Sequence, residues 1–127
     1  MGKWTLLITD DREGIRNLLK EVLEASGYVV YTACNGQEAL NRVKETKIDL
    51  VFLDLKMSGM DGLETLRLLK KTTPTTIVII MTAYEDGTVL KDALRLGASC
   101  CISKPFDLDE LKTVLKRELQ KNTAASI

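Results

Sequence analysis

Ile48-Asp49-Leu50-Val51-Phe52-Leu53-Asp54-Leu55-Lys56-Met57-Ser58-Gly59-Met60-Asp61-Gly62 decides the fold. Its apolar run, Leu50 to Leu53, is short, rich in β-formers and flanked by turn signals, which predicts a strand buried on both faces. Asp54 ends that run. A carboxylate at the end of a buried strand belongs at the sheet edge, where the chain emerges into water. The segment from Ser58 to Gly62 carries two glycines and restarts the chain into a helix.

The same unit recurs on both sides of this stretch. Trp4 to Thr9 reads as a first strand, ending at Asp10-Asp11. Ile15, Leu18, Leu19, Val22 and Leu23 then follow helical spacing, and Ser26-Gly27 stops that helix. Tyr28 to Thr32 reads as a second strand. Asn35 and Glu38, like Asp61 and Glu64, stand at capping-box spacing before helical runs. Ile77 to Met81 is a fourth buried strand ending at Thr82. A looser helix closed by Gly97 follows it. Cys100 to Ser103 is a fifth strand, followed by Lys104-Pro105, and Asp107 and Glu110 open the last helix.

Buried strands alternating with amphipathic helices imply a parallel sheet covered on both faces. Five units are too few for an eight-unit barrel. The expected architecture is α/β: an open, doubly wound, five-stranded parallel sheet of flavodoxin-like (βα)5 type, with strand order 2-1-3-4-5. The chain's 127 residues suit one domain, expected over residues 1–121 with a frayed tail over 122–127.

Composition narrows the function. Eighteen basic residues balance eighteen acidic ones, giving no basic excess for nucleic acid, and few aromatics for stacking bases. There is no long apolar span, so membrane insertion is not expected. The three cysteines read as reduced, which suits a cytoplasmic protein. Cys100 and Cys101 are adjacent in a strand and point to opposite faces. Histidine is absent, which removes His-based nucleophiles, bases and metal ligands.

In an open α/β sheet, ligands bind beyond the carboxyl ends of the strands. Those ends carry Asp10, Asp11, Asp54, Thr82 and Lys104. Three clustered carboxylates repel unless a cation sits among them or one stays protonated. Oxygen-only donors favour a hard ion, and Mg2+ fits best. Add an ammonium and a hydroxyl, and the set suits an incoming phosphoryl group attacked in line by Asp54.

Four motifs, taken in order, resemble those of a known family. Asp-Asp after strand one, Leu-Asp-Leu-Lys-Met-Ser-Gly-Met-Asp-Gly after strand three, Met-Thr-Ala-Tyr after strand four and Ser-Lys-Pro-Phe after strand five are similar to the response-regulator receiver domain of two-component signalling. The nearest likeness is to single-domain receivers of the sporulation phosphorelay. The resemblance implies that Asp54 is the phosphoacceptor. It also implies a metal site made by Asp10, Asp11, Asp54 and the backbone carbonyl of Lys56. Thr82 and Tyr84 would then be the switch pair, Lys104 the phosphate-contacting lysine, and the bond before Pro105 cis. Cys101 departs from the sporulation receiver, which has a histidine there.

The resemblance further implies a histidine kinase or histidine phosphotransfer protein as partner, and Mg2+ as the sole cofactor. It implies a signalling domain, not an enzyme, beyond its own phosphorylation and slow dephosphorylation. Ile15, Leu18, Pro105 and Phe106 are the expected docking residues. The apolar stripe from Ile15 to Leu23 spans about 140°, wider than a core contact needs, although periodicity alone also allows Ile15 and Leu18 to be core. Three alternatives compete. A Mg2+-dependent aspartyl phosphatase would want an acid two residues past the nucleophile, where Lys56 stands. A flavin module would meet repulsion from Asp10-Asp11. The third is the receiver part of a longer DNA-binding regulator.

Overall fold

A computed structural model of the chain describes residues 3–56, 61–83 and 87–126. Ten elements alternate strictly. They are β1 (Thr5–Thr9), α1 (Glu13–Ala25), β2 (Val29–Ala33), α2 (Gly36–Glu45), β3 (Leu50–Asp54), α3 (Gly62–Thr72), β4 (Ile77–Thr82), α4 (Gly87–Arg95), β5 (Cys100–Ser103) and α5 (Leu108–Ser126). The five strands form one parallel sheet in the order β2-β1-β3-β4-β5, as expected.

Strand periodicity divides the core in two. Leu7, Val51, Leu53, Val78 and Ile80 meet Ala39, Leu40, Val43, Leu66, Leu69 and Ala93 from α2, α3 and α4. Leu6, Ile8, Leu50, Phe52, Ile79 and Ile102 meet Leu19 and Leu23 of α1 and Leu111, Leu115 and Leu119 of α5. Central strands β3 and β4 are buried along their whole length, which explains their unbroken apolar runs. Cys101 packs on the first layer and Cys100 on the second, so the two thiols do face opposite sides. All three cysteines are free.

Some boundaries differ from expectation. β1 starts at Thr5, not Trp4, though the Trp4 carbonyl accepts from Val29 N–H at 3.0 Å. β2 runs Val29–Ala33 because Tyr28 is committed to closing α1. Its N–H donates to the Leu23 carbonyl at 3.2 Å, across Gly27 at φ +98°. The two predicted capping boxes are only half-formed. Asn35 accepts from Glu38 N–H, but the Glu38 carboxylate reaches back to Cys34 N–H instead of Asn35 N–H. Asp61 accepts from Leu63 N–H, while Glu64 pairs with Arg67 at 2.6 Å. The last helix does open as expected, with Asp107 accepting from Glu110 N–H at 2.7 Å. Backbone at 122–126 continues α5. Among the described residues, no helix is long and apolar enough to cross a membrane.

Candidate functional site

The sheet delivers the polar residues to one edge. Thr9 pairs with Leu53, Asp54 with Met81, and Thr82 with Ser103, so the carboxyl ends of β1, β3, β4 and β5 lie side by side. Backbone bonds carry the alignment into the loops. Asp10 N–H donates to the Ala33 carbonyl at 3.2 Å, and Leu55 N–H to the Met81 carbonyl at 3.2 Å. Lys104 N–H donates to the Thr82 carbonyl at 2.8 Å. Gly62 fixes the far side of the β3 loop. A Cβ there would stand 2.6 Å from the Leu55 Cα and carbonyl oxygen, so only glycine lets α3 start so close to the residue after Asp54.

Three carboxylates converge. Asp10 and Asp54 are buried and Asp11 is exposed, and one oxygen from each lies within 4.8 Å of the others. Lys104, only 14% exposed, bridges the two buried acids: its Nζ is 3.0 Å from Asp10 Oδ2 and 3.2 Å from Asp54 Oδ2. Asp54 Oδ1 accepts from Lys56 N–H at 3.0 Å. Thr82 is fully buried at the end of β4, one residue past the partner of Asp54. The peptide bond between Lys104 and Pro105 is cis.

The two buried acids titrate in opposite directions. Burial alone would raise Asp10, but the Arg12 N–H, Lys104 and the Arg12 guanidinium outweigh it and hold its pKa below the ordinary value. Asp54 is pushed up, chiefly by burial, and the neighbouring Asp10 charge adds to this against Lys56 N–H and Lys104. Burial therefore makes ionised Asp54 costlier to hold than ionised Asp10, in spite of Lys104 and the Lys56 N–H.

Three converging carboxylates, offering oxygen donors only, fit a hard divalent ion. The acidic cluster of Asp10, Asp11 and Asp54 can thus hold a metal.

Beside the acids runs an apolar groove of about 590 Å3, whose walls include Ile15, Leu18, Pro105 and Phe106. Leu18 is 47% exposed, and Ile15 and Phe106 are half-buried. All four predicted docking residues are thus brought together at the rim of the carboxylate site. Tyr84 lies outside the described residues.

Two arginines escaped the sequence reading. Arg12 donates both its backbone N–H (2.9 Å) and its Nε (3.4 Å) to Asp10 Oδ1, and Arg16 donates to the Asp10 carbonyl at 2.9 Å. The available signal was a basic residue directly after an acidic pair. Thr9 is another omission. Its buried hydroxyl, next to Asp10 in the chain, has no hydrogen-bond partner among the described residues.

Comparison with known proteins agrees with this geometry. A model of the response regulator receiver domain matches residues 6–116. The chain is 44% identical to sporulation initiation phosphotransferase F of Bacillus subtilis (strain 168), over 90% of this chain and 92% of that protein. It is 37% identical to regulatory protein AtoC of Escherichia coli (strain K12), over 91% of this chain but 25% of that longer protein. The structure of a CheY-like response regulator receiver domain protein from Methanospirillum hungatei JF-1 superposes with a TM-score of 0.95 at 28% identity, covering 98% of this chain and 99% of that one.

Proposed function

This chain belongs to the response regulator receiver domain family, and on that premise we propose that Asp54 is the residue on which it accepts a phosphoryl group. The observation that carries the assignment is the Lys104 bridge between two buried acids at the carboxyl edge of the sheet, with Asp11 converging on them.

The roles divide as follows. An Asp54 carboxylate oxygen forms the new O–P bond while the P–N bond of a phosphohistidine breaks, and the electron pair leaves on the imidazole nitrogen. Lys104 leaves Asp54 for the incoming phosphoryl oxygens and keeps Asp10 as its second partner. Mg2+, held by Asp10, Asp11, Asp54 and the Lys56 carbonyl, would supply further positive charge to those oxygens. The Thr82 hydroxyl gains a phosphoryl acceptor, and with Tyr84 it would convert that bond into a change of packing around α4. The domain, taken as residues 1–121, thereby catalyses its own phosphorylation and slow dephosphorylation and turns over no other substrate.

None of the 127 residues is a histidine, so the donor histidine lies outside them, on a histidine kinase or a histidine phosphotransfer protein. The groove at Ile15, Leu18, Pro105 and Phe106 is the surface on which that partner docks, with an exposed apolar rim beside the reacting carboxylate. A cytoplasmic location suits such a relay.

The test is to treat the chain with a small acyl phosphate and Mg2+ and to locate the phosphate by mass spectrometry. One phosphoryl group on Asp54, absent without the metal, is expected. Label on any other residue would sink the assignment.

A further inference from the structure

Both oxygens of Asp10 are engaged by cations. Lys104 Nζ holds Oδ2 at 3.0 Å, and Arg12 Nε stands 3.4 Å from Oδ1. A divalent ion shared with Asp11 and Asp54 has to bond one of these oxygens. Lys104 is anchored to two acids and largely buried, whereas the Arg12 side chain is 54% exposed. Arg12 is therefore the cation that can leave.

Three further observations bear on it. Its guanidinium feels Asp10 first, and Asp54 and Asp11 as well, so it sits in the field of all three carboxylates. It occupies the N-cap position of α1 without making a side-chain cap bond, so the helix does not depend on its side chain. Its backbone N–H bond to Asp10 Oδ1 at 2.9 Å is independent of the side chain, so Asp10 keeps its orientation when Arg12 is replaced.

We propose that Arg12 is a built-in competitor for the cation site: its guanidinium stands at Asp10 in the metal-free protein and swings into solvent when a divalent ion binds, so Arg12 sets the Mg2+ affinity of this receiver. The proposal rests on the reading that Asp10, Asp11 and Asp54 hold that ion. Removing the Arg12 charge leaves the cluster of three carboxylates one unit more negative, which favours a divalent ion. A half-exposed ion pair is weak and easily screened, so the competition is worth about twofold to fivefold in affinity and does not block binding.

Calorimetric titration of Mg2+ into the metal-free chain tests this without any reaction. Arg12→Gln should bind Mg2+ about twofold to fivefold more tightly than the unsubstituted chain. Arg12→Lys, which keeps the charge, should stay near the unsubstituted value, and Asp11→Asn should bind much more weakly. Unchanged or weaker binding by Arg12→Gln, with Asp11→Asn still impaired, overturns the competitor role while leaving the metal site standing. Equal tightening in Arg12→Lys and Arg12→Gln would mean that charge is not the cause, and also overturns it. Undiminished binding by Asp11→Asn removes the metal site itself, and the competitor role with it. Thermal melts of the metal-free variants establish that each is folded before titration.

Discussion

The two ends of the sheet use the same kinds of side chain in opposite ways. At the amino ends of the strands, Asp49, Thr76 and Lys70 are tied to backbone. Asp49 Oδ2 accepts from Thr5 N–H at 2.8 Å, Thr76 donates to the Ile48 carbonyl at 3.1 Å, and Lys70 Nζ donates to the Pro74 and Thr76 carbonyls at 2.9 and 2.7 Å. Each of these groups closes a loop and is used up in doing so. At the carboxyl ends, Asp10 and Asp54 each give one oxygen to a backbone N–H, but Lys104 ties their other oxygens together, and burial leaves Asp54 costly to keep ionised. Polar groups satisfied by backbone act as staples. Polar groups held against each other in a low-dielectric setting stay poised for a new charged partner.

The largest contrast comes from exchanging one aspartate at each end. Asp54→Asn should lose phosphoryl labelling entirely, since a neutral amide is no nucleophile. The same variant should be more stable in the absence of metal at pH 7. A carboxyl whose folded pKa lies above its ordinary 3.8 adds stability while protonated, and loses it as pH rises through the folded value. The amide mimics the protonated form, so its melting temperature should exceed that of the unsubstituted chain by a few degrees. That margin should shrink on acidification through the Asp54 pKa and on adding Mg2+. Asp10 acts in the opposite sense: its lowered pKa stabilises the fold above the ordinary carboxylate range and fails as pH falls through the folded value. A variant that is both unlabelled and less stable would show that Asp54 is a staple after all.

Gly62→Ala attacks the boundary of the chemical end. The new Cβ meets Leu55 backbone, which cannot yield like a side-chain tip, so about 1–3 kcal/mol of stability should be lost. Leu55 adjoins Asp54, so labelling should slow in the molecules that remain folded. Normal labelling in that fraction, measured below the melting transition, would uncouple the glycine from the site.

Asp49→Ala is the converse of Asp54→Asn. It strands the Thr5 N–H and should cost about 1–2 kcal/mol in denaturant melts. Its labelling rate per folded molecule should be unchanged, because the opposite end of the sheet supplies the chemistry. A fall in that rate would blur the distinction between the two ends.

The sequence shows the chemical end more plainly than the stapled one. Asp10, Asp54, Thr82 and Lys104 were legible because strand ends can be read from apolar runs, and a parallel sheet must bring those ends together. The bonds of Lys70 and Asp49 were not legible, since they depend on how each loop folds back in space. Arg12 was hidden for a similar reason. Its side chain turns back onto Asp10 only because β1 gives way to α1 within a few residues. Tyr28 shows the limit for boundaries: periodicity favours extending β2 through it, but closing α1 claims its N–H first.

The smallest expected effect on the fold belongs to the rim of the groove. Leu18 is nearly half exposed, and Ile15 packs only at the edge of the core layer formed with α5. Truncating Leu18 to alanine should cost no more than about 0.5–1 kcal/mol, far below a buried leucine. Leu18→Ala should also leave labelling by a small acyl phosphate unchanged, because such a donor needs only the carboxylates and Lys104. A partner protein needs the apolar rim as well, and an anchor lost from the centre of an interface commonly costs a factor of about ten. Transfer from a phosphohistidine protein should therefore slow about tenfold in Leu18→Ala, and comparably in Ile15→Ala at a somewhat larger cost in stability. If both donors slow together, the groove shapes the site and does not receive a partner. If neither slows, the partner approaches the carboxyl end of the sheet from another side.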